Sequence, residues 1–541
     1  MARIGLLVLA GLLVPGSGIA AARAGTSVTV RVTSTAISAP VRSGFLGLAL
    51  EFNDVPHLAG PTVRSVNPVF VALLHNLDPS GRAPLRIGGQ STARSWWPVP
   101  GMPRPLGITY NLSPRWAADA RALAEATGTR LMPGIEFEAD NPRISEVEAR
   151  QLVSRIGRRH IAALEIGNEP ELYRAIPWYK VLAGRPVPWY SPTGTPEFNR
   201  SPAYGPSTFV SEFRSIMNAM PPMPIAGPSS GAPSWLHAFE GLVSSSSRVK
   251  IVTSHAYSLL ACVHNPSSPY YPSVPHLLRR AAGRHLAHGL TPLVRQAHRA
   301  GARFRVDEVG SVACNGRAGV SNTFSSALWL LDTLFAFAAK NVDGVNLHTY
   351  PGLPNNLFDF RPVHGRWTGQ VHPLYYGALM FARAAPPGSR ILKVEAGGQR
   401  HVRVWATRTG DGSERVLMLN DDPSSSRQAQ VALAGAGSTG RVERLVAPSV
   451  YATSGVSLGG RSFGASTSTG VLAAPSQQTV KARNGQFTLA LPAGSATLLT
   501  IAPRPRSTDV LVHDRFPVIV SAGVFLLLAL RLRRPKGQSP S

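Results

Sequence analysis

Eight short runs of apolar or β-branched residues, separated by stretches with helical periodicity, leave this chain very few folds. The runs are "GFLGLALEF" (44–52), "APLRIGG" (83–89), "RLMPGIEF" (130–137), "AALEIGN" (162–168), "MPIAGP" (223–228), "IVTSHAY" (251–257), "RFRVDEV" (303–309) and "GVNLHTY" (344–350). Between two of them, "RWAADARALAEATG" follows Ser113 as an N-cap and Pro114 at the first helical position, and ends on Gly128. "SEVEARQLVSRIGRR" and "SSALWLLDTLFAFAAK" are similarly periodic. Eight strands alternating with helices predict an α/β fold, a (β/α)8 TIM barrel over residues 36–384, with its chemistry at the C-terminal ends of the strands.

From about residue 385 the pattern changes to short alternating segments, "HVRVWATR", "RVLMLN", "AQVALAG" and "GQFTLALPA", separated by Gly and Ser. They predict a C-terminal antiparallel β-sandwich over 385–502, joined by the early strand "TSVTVRVTST" at 26–35. A chain of 541 residues, 44% of them hydrophobic, has enough apolar content for two such domains.

The ends read differently. Arg3, an apolar stretch and the small residues up to Ala24 predict an export signal at 1–24. "FPVIVSAGVFLLLAL" at 516–530, followed by Arg531, Arg533, Arg534 and Lys536, predicts a membrane anchor with a basic cytoplasmic tail at 531–541, after a spacer at 503–515. At less than roughly 20 residues the stretch is short for a span, and the alternative is a hydrophobic tail packed on the domain. The expected location is the outer face of the cell membrane, or the exterior. Cys262 and Cys314 are the only cysteines. An oxidising compartment predicts a disulfide between them, with two buried thiols as the alternative. No zinc-ligand spacing occurs. The net charge of +26 favours acidic partners, and no nucleic-acid partner is expected of an exported chain without a binding module.

In "LEIGNEPELY" the fourth run ends at Asn168 and Glu169, followed by Pro170; the seventh carries Asp307 and Glu308 at its end. Two carboxylates at the mouth of one barrel suit glycoside hydrolysis, one protonating the departing oxygen while the other attacks the sugar carbon. Alternation along a strand turns Asp307 away from Glu308, toward the helical layer. Arg86 could neutralise the mid-strand Glu165, because buried charges are normally paired. His255 and Tyr257 could be satisfied core residues, and His348 a packed histidine behind the site.

Together, Arg86 on strand two, Asn-Glu-Pro after strand four, His255-Ala-Tyr257 on strand six and Glu308 on strand seven resemble the clan of retaining barrel glycosidases. "LRIGGQS" (85–91), "EIGNEPELY", "RVDEVGS" (305–311), "HPLYYGALMF" (372–381), "SLGGRSF" and "LPAGSATLLTI" make the chain similar to glycoside hydrolase family 79, the β-glucuronidase and heparanase group, over most of 27–502. The resemblance implies Glu169 as general acid/base, Glu308 as nucleophile and Asn168 as partner of the sugar 2-hydroxyl. It implies Arg86 and Tyr257 as the groups that orient Glu308. Glu51, His348 and Tyr350 would contact substrate, which would be a β-glucuronide or a related uronic-acid glycan; neither a metal nor a cofactor is implied. Gln90 and the acidic "EFEADNP" (136–142) depart from the family pattern and touch substrate choice more than catalysis. The rival readings are a glycosidase of the same clan acting on neutral β-glycosides, and a carbohydrate-binding surface protein without turnover.

Overall fold

The computed structural model describes residues 27–397, 400–433, 436–476 and 478–503. The segments expected to be an export signal, an anchor and a basic tail lie outside the described residues, as does the spacer beyond Pro503. Among the described residues no helix is long and apolar enough to cross a membrane.

All eight runs contribute a barrel strand. Leu46–Leu50, Leu85–Ile87, Leu131–Ile135, Leu164–Ile166, Ile225–Ser230, Val249–Leu260, Arg303–Ala313 and Gly344–His348 close into one barrel in chain order. Each neighbouring pair is parallel. Strand one is buried along its whole length, as expected where side chains from one face fill the barrel and those from the other meet helices. The helix Pro114–Thr127 begins and ends where its caps dictate. Ser113 Oγ accepts the Trp116 N–H at 3.2 Å, and Gly128 takes a left-handed φ of 65° that a side chain would resist.

Among the described residues the second domain is one hydrogen-bonded sheet of ten strands. It curls until Phe487, Leu489 and Leu491 of one edge pack with Val416, Met418, Leu499 and Ile501. Its pairing is antiparallel except between Ser27–Ala36 and Arg427–Leu433, which run parallel. The sheet packs on the barrel helix Phe324–Ala339, where Trp405 stacks on Phe335 at 5.6 Å. Leu417, Leu445 and Leu498 of the sheet join the barrel's own core cluster. Cys262 and Cys314 form a disulfide, which joins the loop after strand six to the end of strand seven.

One irregularity matters for the site. Ser254 of strand six pairs with Val306, but the next residue, His255, pairs with Glu308. On the other side Val306 and Val309 pair with Val345 and Leu347, again one residue too many on strand seven. Strand seven is therefore bulged at Asp307, and a bulge breaks the in-and-out alternation of side chains.

Candidate active site

Arg86 is fully buried on strand two and points along the barrel interior. Its Nε lies 2.6 Å from Glu165 Oε2, and its Nη1 is 2.8 Å from Glu308 Oε2. Its Nη2 donates to Asn168 Oδ1 at 2.7 Å and to Ser229 Oγ at 2.9 Å. The two roles the sequence left open for Arg86, neutralising Glu165 and holding Glu308, are met by one guanidinium.

The other oxygen of Glu308 accepts the Tyr257 hydroxyl at 2.6 Å. His348 Nδ1 stands 3.3 Å from that oxygen and 3.1 Å from the same hydroxyl, while its Nε2 is 3.3 Å from Glu51 Oε1. Burial alone would raise the Glu308 carboxyl. Facing His348, His255 and Arg86, and accepting from Tyr257, it is instead held well below the ordinary carboxylate range. Glu51 is buried, and its remaining oxygen accepts the Ser91 N–H at 2.8 Å and the Ser91 hydroxyl. Both of its oxygens are thus engaged by the protein.

The expectation that Asp307 faces the helical layer is wrong, and the bulge is the reason. Its Oδ2 accepts the Ser229 hydroxyl at 2.8 Å and lies 3.4 Å from both His255 Nε2 and Arg86 Nε. Burial would raise Asp307, but His255 and Arg86 outweigh it and keep the carboxyl depressed. Against the burial that would lower it, His255 is raised well above the usual imidazole range by Glu308 and Asp307. An imidazolium therefore stands between the two glutamates.

Glu169 closes the loop after strand four. Its backbone is left-handed, at φ 48°, and its N–H donates to Ser229 O at 2.8 Å. Its Oε1 lies 3.2 Å from His255 Nδ1, and with 26% of its side chain accessible, against 7% for Glu308, it is the more open of the pair. Single atoms of Glu169, His255 and Glu308 come within 4.8 Å of one another. A small cavity beside Glu169 is lined by Gln90, Arg94, Glu138, Asn168 and Tyr173. A larger cavity, about 370 Å³, lies away from the carboxylates, at the end of the barrel where Leu46 begins strand one.

Of the residues expected from sequence, Glu308, Arg86, Asn168, Tyr257, His348 and Glu51 form one network of direct contacts, and Glu169 meets it through His255. Tyr350 stands apart, engaging Asn53, with its phenol pushed up by burial and by the Glu51 charge. Glu136 and Glu138, the acidic pair in "EFEADNP", are both buried, Glu138 at the edge of the small cavity beside Glu169. Glu138 pairs with Arg94 at 2.9 Å, and Glu136 accepts the Ala139 N–H at 2.8 Å. Sequence reasoning missed Ser229 and Ser91. Nothing local marks them, since each acts by meeting a residue distant in the chain.

Residues 404–498 match a family model described as the glycosyl hydrolase family 79 C-terminal beta domain. No curated protein sequence matches the chain. Among solved structures it is similar to a 4-O-alpha-L-rhamnosyl-beta-D-glucuronidase from Fusarium oxysporum 12S, at 18% identity and a TM-score of 0.64, covering 87% of this chain and 100% of that one. It is similar also to a family 51 alpha-L-arabinofuranosidase from Bifidobacterium longum (13% identity, 88% and 99% covered, TM-score 0.58). A third likeness is to CelM2, a bifunctional glucanase-xylanase from a metagenome library (14%, 88% and 99%, TM-score 0.55). At these identities the structures speak for the fold, and the domain match adds that residues 404–498 are similar to the C-terminal β domain of glycosyl hydrolase family 79. The chain is thus a glycoside hydrolase, carrying the family 79 C-terminal β domain against a (β/α)8 barrel whose motifs resemble the same family.

Proposed function

We propose that this protein is a retaining glycosidase that cleaves β-glucuronides or related uronic-acid glycans, with Glu308 as nucleophile and Glu169 as general acid/base. The observation that carries the reading is the cradle of Arg86, Tyr257 and His348 around Glu308, which keeps that carboxylate ionised beside a second, more open one. One atom of each carboxylate lies within 4.8 Å of the other, which is compatible with the retaining separation of roughly 5 to 5.5 Å between the carboxyl groups.

In the first step Glu169 gives its proton to the glycosidic oxygen as that oxygen leaves the anomeric carbon, and Glu308 attacks the same carbon to form a glycosyl ester. In the second, Glu169 takes a proton from water, the water oxygen bonds to the anomeric carbon, and Glu308 departs as a carboxylate. Asn168 has its oxygen occupied by Arg86, which leaves its amide N–H groups for the sugar 2-hydroxyl. A uronic-acid substrate is supported by the family 79 domain, by the glucuronidase among the similar structures and by the basic charge of the chain. The ends of the sequence support export and a C-terminal tether, which would present the barrel to glycans outside the cell.

The test is turnover of chromogenic β-glucuronide, β-glucoside, β-xyloside and β-galactoside, with Glu308→Ala and Glu169→Ala alongside. Turnover of the glucuronide, lost in Glu308→Ala and regained with azide as an α-glycosyl azide, is the expected result. Turnover of a neutral glycoside alone would discard the uronic-acid claim, and glycan binding without any turnover would favour the binding protein.

A further inference from the structure

Glu169 occupies the left-handed region at φ 48°, ψ 56°, which costs a residue with a side chain on the order of 1 kcal/mol and persists only where its surroundings impose it. Backbone bonds do part of this, from Glu169 N–H to Ser229 O and from Leu172 N–H to Glu169 O. Tyr173 adds a side-chain anchor, because its buried hydroxyl accepts the N–H of Asn168, the residue before Glu169, at 3.3 Å.

The Tyr173 ring is itself held. Tyr204 stacks on it at 6.4 Å with 18° between the planes, and Phe137 lies 6.1 Å away. The Arg200 guanidinium closes this cage from 5.0 Å over Tyr204 and 5.7 Å over both Tyr173 and Phe137. Its Nη1 donates to Glu138 O at 2.8 Å; its Nη2 donates to Phe137 O at 3.1 Å and to Glu212 Oε2 at 3.2 Å. One planar cation, 7% exposed, thereby joins the loop after strand three, the loop that carries Glu169 and the helix Pro206–Ala219. A lysine could supply the charge but not the fork that reaches two carbonyls while facing three rings.

We propose that Arg200 is a positioning residue for Glu169, acting through Tyr173; this rests on the reading of Glu169 as the acid/base. A general acid works only within a narrow range of position, so slack in the Tyr173 cage falls on proton donation. The Glu308 cradle is built from Arg86, Tyr257 and His348, none of which Arg200 touches. The link between the two halves is Asn168, whose N–H meets Tyr173 and whose Oδ1 meets Arg86. A fault passed along it would fall on every leaving group alike, whereas one passed to Glu169 grows as the leaving group needs a proton, and this makes the two separable by kinetics.

Separability sets the test: kcat/KM of the full chain on aryl β-glucuronides whose leaving groups range from dinitrophenol, which needs no proton, to methoxyphenol, which does. Arg200→Met is expected to stay within about threefold of wild type on the dinitrophenyl substrate and to lose about a hundredfold on the methoxyphenyl one, in the same direction as Glu169→Ala. Tyr173→Phe, which removes only the hydroxyl, should show a weaker version of that slope, and it carries the test with Arg200→Lys if Arg200→Met does not fold. A loss equal for all leaving groups, or none, overturns the inference while a steep slope in Glu169→Ala leaves the acid/base reading standing. A flat response in Glu169→Ala overturns both.

Discussion

Asp307 and Glu308 are neighbours in the chain, yet both side chains enter the barrel interior, because the bulge sets Glu308 against His255 and leaves Asp307 without a partner on strand six. Three buried carboxyl groups, counting Glu165, consequently share the cations Arg86 and His255. Burial drives Glu165 up to about 8, with Arg86 opposing and Asp307 adding to the rise, whereas Asp307 and Glu308 are held low. Asp307 and Glu308 both face the two cations, Asp307 at 3.4 Å from each and Glu308 at 2.8 Å from Arg86. Asp307 thus allows Arg86 and His255 to be charged together beside the nucleophile.

That balance predicts what Asp307→Asn does. Removing one anion leaves a buried cation short of its partner, a defect worth about 3 kcal/mol. Chemical denaturation should show the lower midpoint even when Glu308 is already replaced by Gln. An unchanged midpoint would mean that Asp307 plays no part in the charge cluster.

Glu136 predicts a stability change of the opposite kind. Burial, with Glu138 adding, lifts its carboxyl to about 8, although the Ala139 N–H pulls the other way. A carboxyl raised above its unfolded value of about 4.3 contributes stability that is whole below that pH and lost as pH rises through the folded value. Glu136→Gln stays neutral throughout. The variant should therefore melt a few degrees above wild type near pH 9, on the order expected for a few kcal/mol, with the gain shrinking toward pH 5. A pH-independent difference in melting temperature would refute the assignment.

These cases mark how far the sequence could be read. Every barrel strand was legible because its apolar run is bounded by turn residues, and the caps Ser113 and Gly128 fixed a helix to the residue. Glu308 was legible as a carboxylate near the end of such a run, although its strand continues to Ala313. Asp307 was misread because strict alternation has no place for an extra residue, and a bulge is set by neighbouring strands rather than by its own sequence. Arg200 and Ser229 were invisible for a related reason. Their partners are carbonyls, rings and carboxylates brought together only by closure of the barrel.

The disulfide predicts a measurable loss on reduction. Cys262 and Cys314 are 52 positions apart, and opening a loop of that length in the unfolded chain corresponds to about 4 kcal/mol in the chain-entropy model. The Cys262→Ser, Cys314→Ser pair should melt lower than wild type, and dithiothreitol should lower wild type to the same temperature without affecting the variant. Retention of the melting temperature in the double variant would show that the loop after strand six is held by its other contacts.

Asp332 tests whether the two domains unfold together. It lies on the barrel helix Phe324–Ala339 and accepts Arg403 Nη1 at 2.9 Å and Trp405 Nε1 at 2.7 Å from the sheet. Arg403 is almost wholly buried and, among the described residues, retains only Asp421, at 2.6 Å, as a charged partner once Asp332 is gone. Asp332→Ala therefore leaves an indole N–H and part of a guanidinium unsatisfied, and breaking a buried pair in this way costs about 3–5 kcal/mol. Because Leu417, Leu445 and Leu498 share the barrel's core, that cost should fall on both domains at once. Calorimetry of the variant should show a single transition at lower temperature, with turnover lost along it. Two resolved transitions, with the barrel active between them, would mean that the sheet is an attachment and not a part of the enzyme's folding unit.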